Sequence, residues 1–289
     1  MAEARPNVHR RRFGSVVRSL RRSAGLSMED AADRLGLSGK PALSKIENGK
    51  QRVSNLGLTA FFSVYGVDSE ETRTKVRAMA ALAASGKRTN LLDEYQEAIQ
   101  TDGFEDFLHL EGMAIRAEGF LQVVPGLLQT EAYATSIVER SQVWSSQREV
   151  SRFVELRLAR QAALEREHPL GLNCILDEAA LRRVVGGPAV MRQQLEHLLT
   201  VTKDRGNVSL QVLPFEVGAH AAIDAPFQLL EFEVGSPIVV VETKTTSAYF
   251  EEDEDVDRYK SALESLRTQA LDVQGSRRHI QELIKDCYT

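Results

Sequence analysis

Residues 40–52 concentrate the chain's recognisable chemistry. Lys40, Lys45, Lys50 and Arg52 are cations, Ser44 and Asn48 stand between them, and Ala42 is small. Nothing in this set makes or breaks a covalent bond. These are hydrogen-bond donors suited to a polyanion whose edges can be read. A lysine donates to guanine O6 and N7, a serine reaches several base edges, and an alanine touches a thymine methyl. Each well-made base contact contributes about 1–3 kcal/mol of discrimination. Asn48, Lys50 and Arg52 are expected to grip phosphate, which fixes register and carries little sequence information.

Such donors act only if an element holds them on one surface, and the flanking pattern supplies it. Phe13, Val16, Val17 and Leu20 recur at helical spacing, so residues 7–23 are expected to form an amphipathic helix with arginines on its polar side. Arg11 and Arg12 of that helix join the expected DNA-binding set. Ala24-Gly25 ends it, and Ser27 caps a second helix, with Asp30 three residues on. Ala31, Ala32 and Leu35 form the second helix's buried stripe, and Gly36 stops it. A third helix begins near Pro41, is anchored by Leu43 and Ile46, and stops at Gly49. With those two anchors buried, Lys40, Ala42, Ser44 and Lys45 face outward. Two short helices across a tight polar break have the form of a helix-turn-helix, whose second helix enters the major groove. Glu47 is acidic beside a polyanion, so its expected role is structural, pairing with an arginine of the first two helices. Residues 55–65 and 70–84 fit two more helices, which completes an all-α five-helix domain over 1–85.

Charge follows the same division. Residues 1–60 carry twelve Lys or Arg against five Asp or Glu, a net +7, whereas the remainder carries twenty-four against thirty-six, a net −12. The attraction for phosphate is therefore at one end, and the acidic remainder discourages indiscriminate coating of DNA. At 289 residues the chain is long enough for two domains with separate cores. No apolar run reaches the 18 or so residues of a membrane span, and the charged N-terminus lacks the apolar core of a signal peptide. Cys174 and Cys287 are isolated and read as reduced thiols. A cytoplasmic protein without metal or cofactor is the expectation.

Gly86-Lys87-Arg88-Thr89-Asn90 reads as a linker, 86–90, followed by a larger α+β domain over 91–289 with a small sheet. Helices are expected near 91–100, 130–140, 146–167, 189–204, 253–272 and 276–286. Strands are expected at 171–176, 208–213, 227–234 and 237–243. Thr130 would cap a helix after a Pro-Gly turn, leaving N–H groups near Gln129 and Glu131 that can hold an anion. Tyr133 and His220 complete the candidate ligand contacts, although a buried aromatic and a structural histidine are the plainer readings. Glu231 and Glu233 would share one strand face, an arrangement used in acid–base chemistry. With Arg182 or Arg183 and Thr245-Thr246-Ser247 they suggest a nucleotide-using site. An ordinary half-buried strand with both carboxylates in water fits better, and no Ser-His-Asp order or phosphate-binding glycine loop accompanies them. The acids at 251–255 are expected to open the helix at 253. Arg148 to Arg166 alternates arginine with apolar residues in helical register, as one long amphipathic helix.

Ala24-Gly25-Leu26-Ser27, Glu29, Ala32, Leu35-Gly36 and the run Leu43-Ser44-Lys45-Ile46-Glu47-Asn48-Gly49-Lys50 resemble the xenobiotic-response-element (XRE) family of bacterial helix-turn-helix regulators. Two departures stand out. That family often has a phosphate-contacting glutamine where Met28 stands, and the stretch from Gly36 to Leu43 is about one residue longer here. The stretch from Leu121 to Ala134, the segments Leu176–Leu181 and Val212–Phe215, Gly218-Ala219-His220 and Val241-Glu242-Thr243 are similar to the actinobacterial WhiJ-like regulators. The resemblance implies a sequence-specific transcriptional regulator, not an enzyme. Its second domain would sense a small-molecule effector or a small partner protein encoded nearby. One recognition helix reads few base pairs, so a homodimer on a palindromic double-stranded operator is expected. The competing expectation is a nucleotide-using enzyme or toxin-like effector whose DNA-binding head is autoregulatory.

Overall fold

Local capping chemistry sets most helix ends in the first part of the chain. In the computed structural model, which describes residues 8–85, 94–95, 104–141, 146–244 and 246–288, α1 spans Val8–Ser23 and α2 spans Met28–Arg34. Ser27 caps α2: its hydroxyl accepts from the Asp30 N–H at 3.1 Å and donates to the Asp30 carboxylate at 2.6 Å. α3 is Lys40–Glu47, entered through Gly39 at φ 86° with Pro41 in the first turn. α4 is Asn55–Tyr65, capped by Ser54 and closed by Gly66 at φ 66°, the left-handed conformation glycine adopts without steric cost. α5 is Glu70–Ser85. The expected linker at 86–90 and nearly all of the expected helix at 91–100 lie outside the described residues.

The chain divides into two compact units, Met1–Thr89 with Phe232–Pro237, and Asn90–Glu231 with Ile238–Thr289. The first has its own core, in which Phe13, Val17, Leu43, Ile46, Leu58 and Phe62 pack together. Met28 and Val234 lie against that core, partly buried. Two glycines allow α1 and the end of α3 to meet backbone to backbone. A Cβ on Gly14 would stand 2.4 Å from the Glu47 carbonyl oxygen, and one on Gly49 would stand 2.7 Å from the Arg10 carbonyl carbon. Side chains at either position would push the recognition helix away from α1.

The second unit is built on a mixed six-stranded sheet. It comprises α6 (Phe104–Met113), β1 (Arg116–Leu121), α7 (Glu131–Arg140), α8 (Gln147–Ala159), β2 (Gly171–Asp177), α9 (Ala179–Arg182) and α10 (Pro188–Asp204). β3 (Val208–Leu213), β4 (Phe227–Glu231), β5 (Ile238–Glu242), β6 (Ser247–Phe250), α11 (Asp253–Gln269) and α12 (Val273–Cys287) follow. The strand order is β3-β2-β1-β4-β5-β6. β1, β2 and β3 pair in parallel and the remaining pairs are antiparallel. Helical crossovers join the parallel strands, as such pairs require. On one sheet face Phe120, Ile175, Phe227 and Val239 pack with Leu263 and Leu266 of α11. The opposite face carries Leu121, Leu172, Gln228 and Glu242.

Three expectations change. The strand expected over 227–234 stops at Glu231, because Phe232–Pro237 folds with the first unit. The long helix expected over 146–167 ends at Ala159 and tightens into a 3-10 turn, Arg160–Leu164. β1, β6 and α6 were not foreseen: the apolar pattern of β1 and α6 is broken by charge and glycine, and β6 has only four residues.

Candidate nucleic-acid interface and a buried-arginine cavity

The recognition surface depends on how α3 is held. Its eight residues make a rod about 12 Å long at 1.5 Å per residue, comparable to the roughly 12 Å width of the major groove. Leu43 and Ile46 anchor it in the core, while Lys40 and Lys45 are exposed and Ala42 and Ser44 are half-buried. Glu47 is turned inward at 4% exposure. Arg21 grips it with two hydrogen bonds, Nε to Oε1 at 2.7 Å and Nη2 to Oε2 at 3.1 Å, and also donates to the Leu26 carbonyl at 2.9 Å. The Glu47 hydrogen bond holds the Arg21 pKa above its ordinary value, against the opposing effect of burial. Burial chiefly, aided by the Glu47 charge, raises the Tyr65 phenol as well. Glu47 thus locks the recognition helix to α1.

Asn48 has a second positioning role. Its side chain donates to Ser44 Oγ at 3.2 Å and accepts from Arg18 Nη2 at 2.8 Å. This chain orders the Ser44 hydroxyl on the outer face of α3. Arg18 was not among the residues foreseen; it lies one turn before Arg21 on α1 and also reaches Glu47 at 3.7 Å. Lys50 and Arg52 are exposed just past α3, and Arg11 is half-buried on α1.

Arg12 does not lie where the sequence reading put it. It is 1% exposed, donates through Nη1 to the Ser236 carbonyl at 2.7 Å and through Nη2 to the Val234 carbonyl, and stacks on the Phe232 ring at 3.7 Å. The reason is register. Val8, Arg12 and Val16 are spaced by four on one helix face, so Arg12 occupies an apolar position and is drawn inward with the flanking valines. A phosphate contact from this side chain is incompatible with that placement.

In the second unit, a cavity of about 280 Å³ opens beside the segment that leaves the carboxyl end of β1. Phe104 and Phe107 of α6, Val124, Ile137 of α7, and Leu121 and Leu172 of the sheet give it apolar walls. Its polar lining includes Glu111, Gln129, Arg157, Arg160 and Glu242. Arg160 forms a fork with Glu111, Nε to Oε1 and Nη2 to Oε2 both at 2.8 Å, with 8% and 6% of the two side chains exposed. Burial opposes the Arg160 charge, but the Glu111 carboxylate outweighs it and the pKa is raised. Among the described residues Arg157 has no carboxylate bonded in this way, and its guanidinium carbon lies 5.2 Å from the centre of the Phe153 ring. Its Nη1 donates to Gln129 Oε1 at 2.8 Å, and its Nε is buried without an acceptor. Burial, reinforced by the neighbouring Arg160 charge, lowers its pKa to about 10. Glu242 retains accessible surface, yet the protein crowding it raises its carboxyl pKa; a side chain that lines a cavity can be both wetted and enclosed.

The four expected ligand contacts divide. Gln129 lines this cavity, fixed by its own donation to the Val124 carbonyl at 2.6 Å. Thr130 caps α7 as expected, accepting from the Tyr133 N–H at 3.4 Å. Its own N–H donates to Gln194 Oε1 at 2.8 Å, and the Gln129 N–H donates to the Gly126 carbonyl at 3.4 Å, so these two donors of the expected anion position already have acceptors. Tyr133 is a core aromatic, 1% exposed, with its phenol pushed up to about 12 by burial. His220 stands on the opposite sheet face, its ring 4.9 Å from that of Phe120, and its Nδ1 accepts from the Ala222 N–H. The paired carboxylates are also separated: Glu231 ends β4 and faces Arg116 at 3.7 Å, while Glu233 lies beyond the strand and pairs with Lys75. Arg157, Arg160 and Glu111 were missed. The available signal was Arg157 itself, which continues the buried register of Val150 and Val154.

Among the described residues no cluster of three or more His, Cys, Asp or Glu is placed to hold a metal ion. No helix among them is long and apolar enough to cross a membrane. The fold and surface of the first unit define a helix-turn-helix protein of the DNA-binding class, and residues 12–74 match the family model of a helix-turn-helix domain. Residues 104–282 match the model of a domain of unknown function, DUF5753, and since this match spans more than half of the chain, the chain belongs to that family. No curated protein and no solved structure matches the chain.

Proposed function

We propose that this chain is a cytoplasmic, sequence-specific transcriptional regulator of the XRE type. α3 reads base edges, and the second unit senses a small-molecule effector, with no catalytic step of its own. The observation that carries this reading is the outer face of α3. Lys40, Ser44 and Lys45 stand on a rod of groove-sized length, ordered by the Asn48 chain and clamped from behind by Arg21 and Glu47. Lys50 and Arg52 supply phosphate contacts just past it. We further propose a homodimer on a palindromic operator with half-sites about one helical turn, ~34 Å, apart, and kinship with the WhiJ-like group. A small partner protein is the other input that such a second domain would accept.

The test is fluorescence anisotropy with labelled DNA from the gene's upstream region, titrated across salt beside a scrambled duplex. A tight, site-selective complex with a steep salt slope is expected. Lys45→Ala should lose about 1–3 kcal/mol of specific affinity with folding intact. Arg52→Ala should weaken both duplexes alike and reduce the salt slope by about one. Equal affinity of the unmodified chain for both duplexes would remove the sequence-specific reading.

A further inference from the structure

We propose that the cavity of the second unit is its effector site, and that it takes a small organic monocarboxylate with a ring-sized apolar body, clasped by Arg157. This rests on the proposed reading of the second unit as a sensor and gives that sensor a chemical class.

The charge arrangement comes first. Arg160 and Glu111 already satisfy each other through a two-point fork, so neither requires a ligand. Arg157, three residues earlier, is enclosed by protein with one hydrogen bond to the neutral Gln129 amide and an Nε without an acceptor. A half-buried cation whose Nε is sealed from solvent without an acceptor is costly, and a planar guanidinium matches a carboxylate at two points. Burial and the Arg160 charge lower the basicity of Arg157 and outweigh the Glu242 carboxylate, which lies near enough to raise it but forms no hydrogen bond with it. The second negative charge of a phosphate-like dianion would meet Glu242 and Glu111 in the same cavity. The site therefore selects a monoanion.

The walls define the remainder of the ligand. Phe104, Leu121, Val124 and Ile137 offer apolar surface beside the arginine. A cavity of about 150 Å³ is enough to hold benzene, so 280 Å³ accommodates a ring plus a short carboxylate arm. Gly126 also lines the cavity beside Arg157. Gln129, fixed at both ends, holds the guanidinium plane.

The experiment is calorimetric titration of the full chain with benzoate, phenylacetate and indole-3-acetate, with phenylacetamide as the uncharged isostere and inorganic phosphate as the bare anion. At least one of the three carboxylates should bind with one site per chain, and the amide and phosphate should bind at least about tenfold more weakly. Arg157→Met should abolish carboxylate binding and leave amide binding unchanged, and Arg157→Lys should recover part of it. Melting curves of both variants confirm that they are folded. Equal binding of acid and amide, tighter binding of phosphate, silence from all three acids, or full binding by Arg157→Met would each overturn the site. Repeating the titration on the chain bound to its operator separates the two claims. Carboxylate binding without any change in DNA affinity keeps the site and removes the sensor reading. Altered DNA affinity that persists in Arg157→Met keeps a sensor and removes this site.

Discussion

Each unit buries arginines, and they end differently. In the first, Arg21 meets Glu47 and Arg12 meets two backbone carbonyls and a phenylalanine ring. In the second, Arg160 meets Glu111, whereas Arg157 has a neutral amide and the Phe153 ring, 5.2 Å from its guanidinium carbon, with no carboxylate bonded to it. Three of these side chains are closed internally by anions or carbonyl dipoles. The fourth is held in place and left short of charge. The contrast teaches that burial of an arginine is not by itself a sign of function; the sign is burial without compensation. A closed pair serves to fix one element against another, as Glu47 fixes α3 to α1.

The largest effects should come from opening the closed pairs. Glu47→Gln in the first unit and Glu111→Gln in the second each leave an arginine buried beside a neutral group, and each should cost about 3–5 kcal/mol. Chemical denaturation gives the size, and hydrogen exchange gives the place. Glu47→Gln should accelerate exchange in α1 and α3, and Glu111→Gln in α6 and α8. Glu47→Gln should also weaken operator binding, because the recognition helix loses its clamp, while Glu111→Gln should leave DNA binding intact. If both cost less than about 1 kcal/mol, as exposed pairs do, the distinction between closed and open arginines fails.

Arg12→Met ranks next. It keeps the length of the side chain but removes the donors to Val234 and Ser236, so two carbonyls lose charged partners at a cost of about 2–3 kcal/mol. Operator affinity should change only through folding. A selective loss of DNA binding with unchanged stability would instead return Arg12 to the interface that the sequence alone suggested.

A pH-dependent case tests the same idea with a partner nearer to solvent. Glu178 is buried, which by itself would raise its pKa. The Phe215 N–H at 2.9 Å and Arg182 Nε at 2.5 Å outweigh that and hold it below the ordinary carboxylate range. A depressed carboxylate pKa stabilises the fold above the unfolded value and ceases to do so as pH falls through the folded one. Relative to Glu178→Gln, the unmodified chain should be about 1–2 kcal/mol more stable at pH 7, with the advantage shrinking below about pH 4. Paired urea melts at pH 7, 4 and 3 measure it; an advantage that does not shrink would mean the carboxylate charge plays no part.

The five-helix unit was legible because its boundaries are local. Ser27 and Ser54 cap, Gly66 terminates, Pro41 opens a first turn, and apolar residues recur at helical spacing. Glu47 could be read too, since an acid facing DNA needs another purpose. The second unit was legible in its amphipathic helices α7, α10, α11 and α12 and in strands rich in β-branched and other apolar residues, as at Val208–Leu213 and Ile238–Glu242. β1 escaped because Glu118 and Gly119 interrupt it. Its Gly119 is demanded by a contact that sequence does not show, since a Cβ there would lie 2.4 Å from the Phe227 carbonyl oxygen. The cavity escaped for the same reason: α6, α7, α8 and four strands contribute to it, and only folding brings them together. Arg12 and Arg157 share the one local hint, a cation spaced four or three residues from buried valines. Spacing alone reveals that such a residue goes inside, not whether anything there will neutralise it.

The smallest expected effect decides the comparison because its sign reverses. Arg157→Met removes a half-buried charge to which no carboxylate is hydrogen-bonded and fills the space with apolar volume. It also leaves Gln129 Oε1 without its donor, which offsets part of the gain. The net expectation is stabilisation of about 1 kcal/mol in the absence of ligand. The same substitution three residues later, Arg160→Met, strands Glu111 and should destabilise by several kcal/mol. Two equal changes on adjacent turns should thus move the denaturation midpoint in opposite directions. A site that gains stability on losing its charged residue is one whose residue is kept for something other than folding. If Arg157→Met destabilises as Arg160→Met does, Arg157 is a structural cation like the other three, and the carboxylate site loses its physical basis.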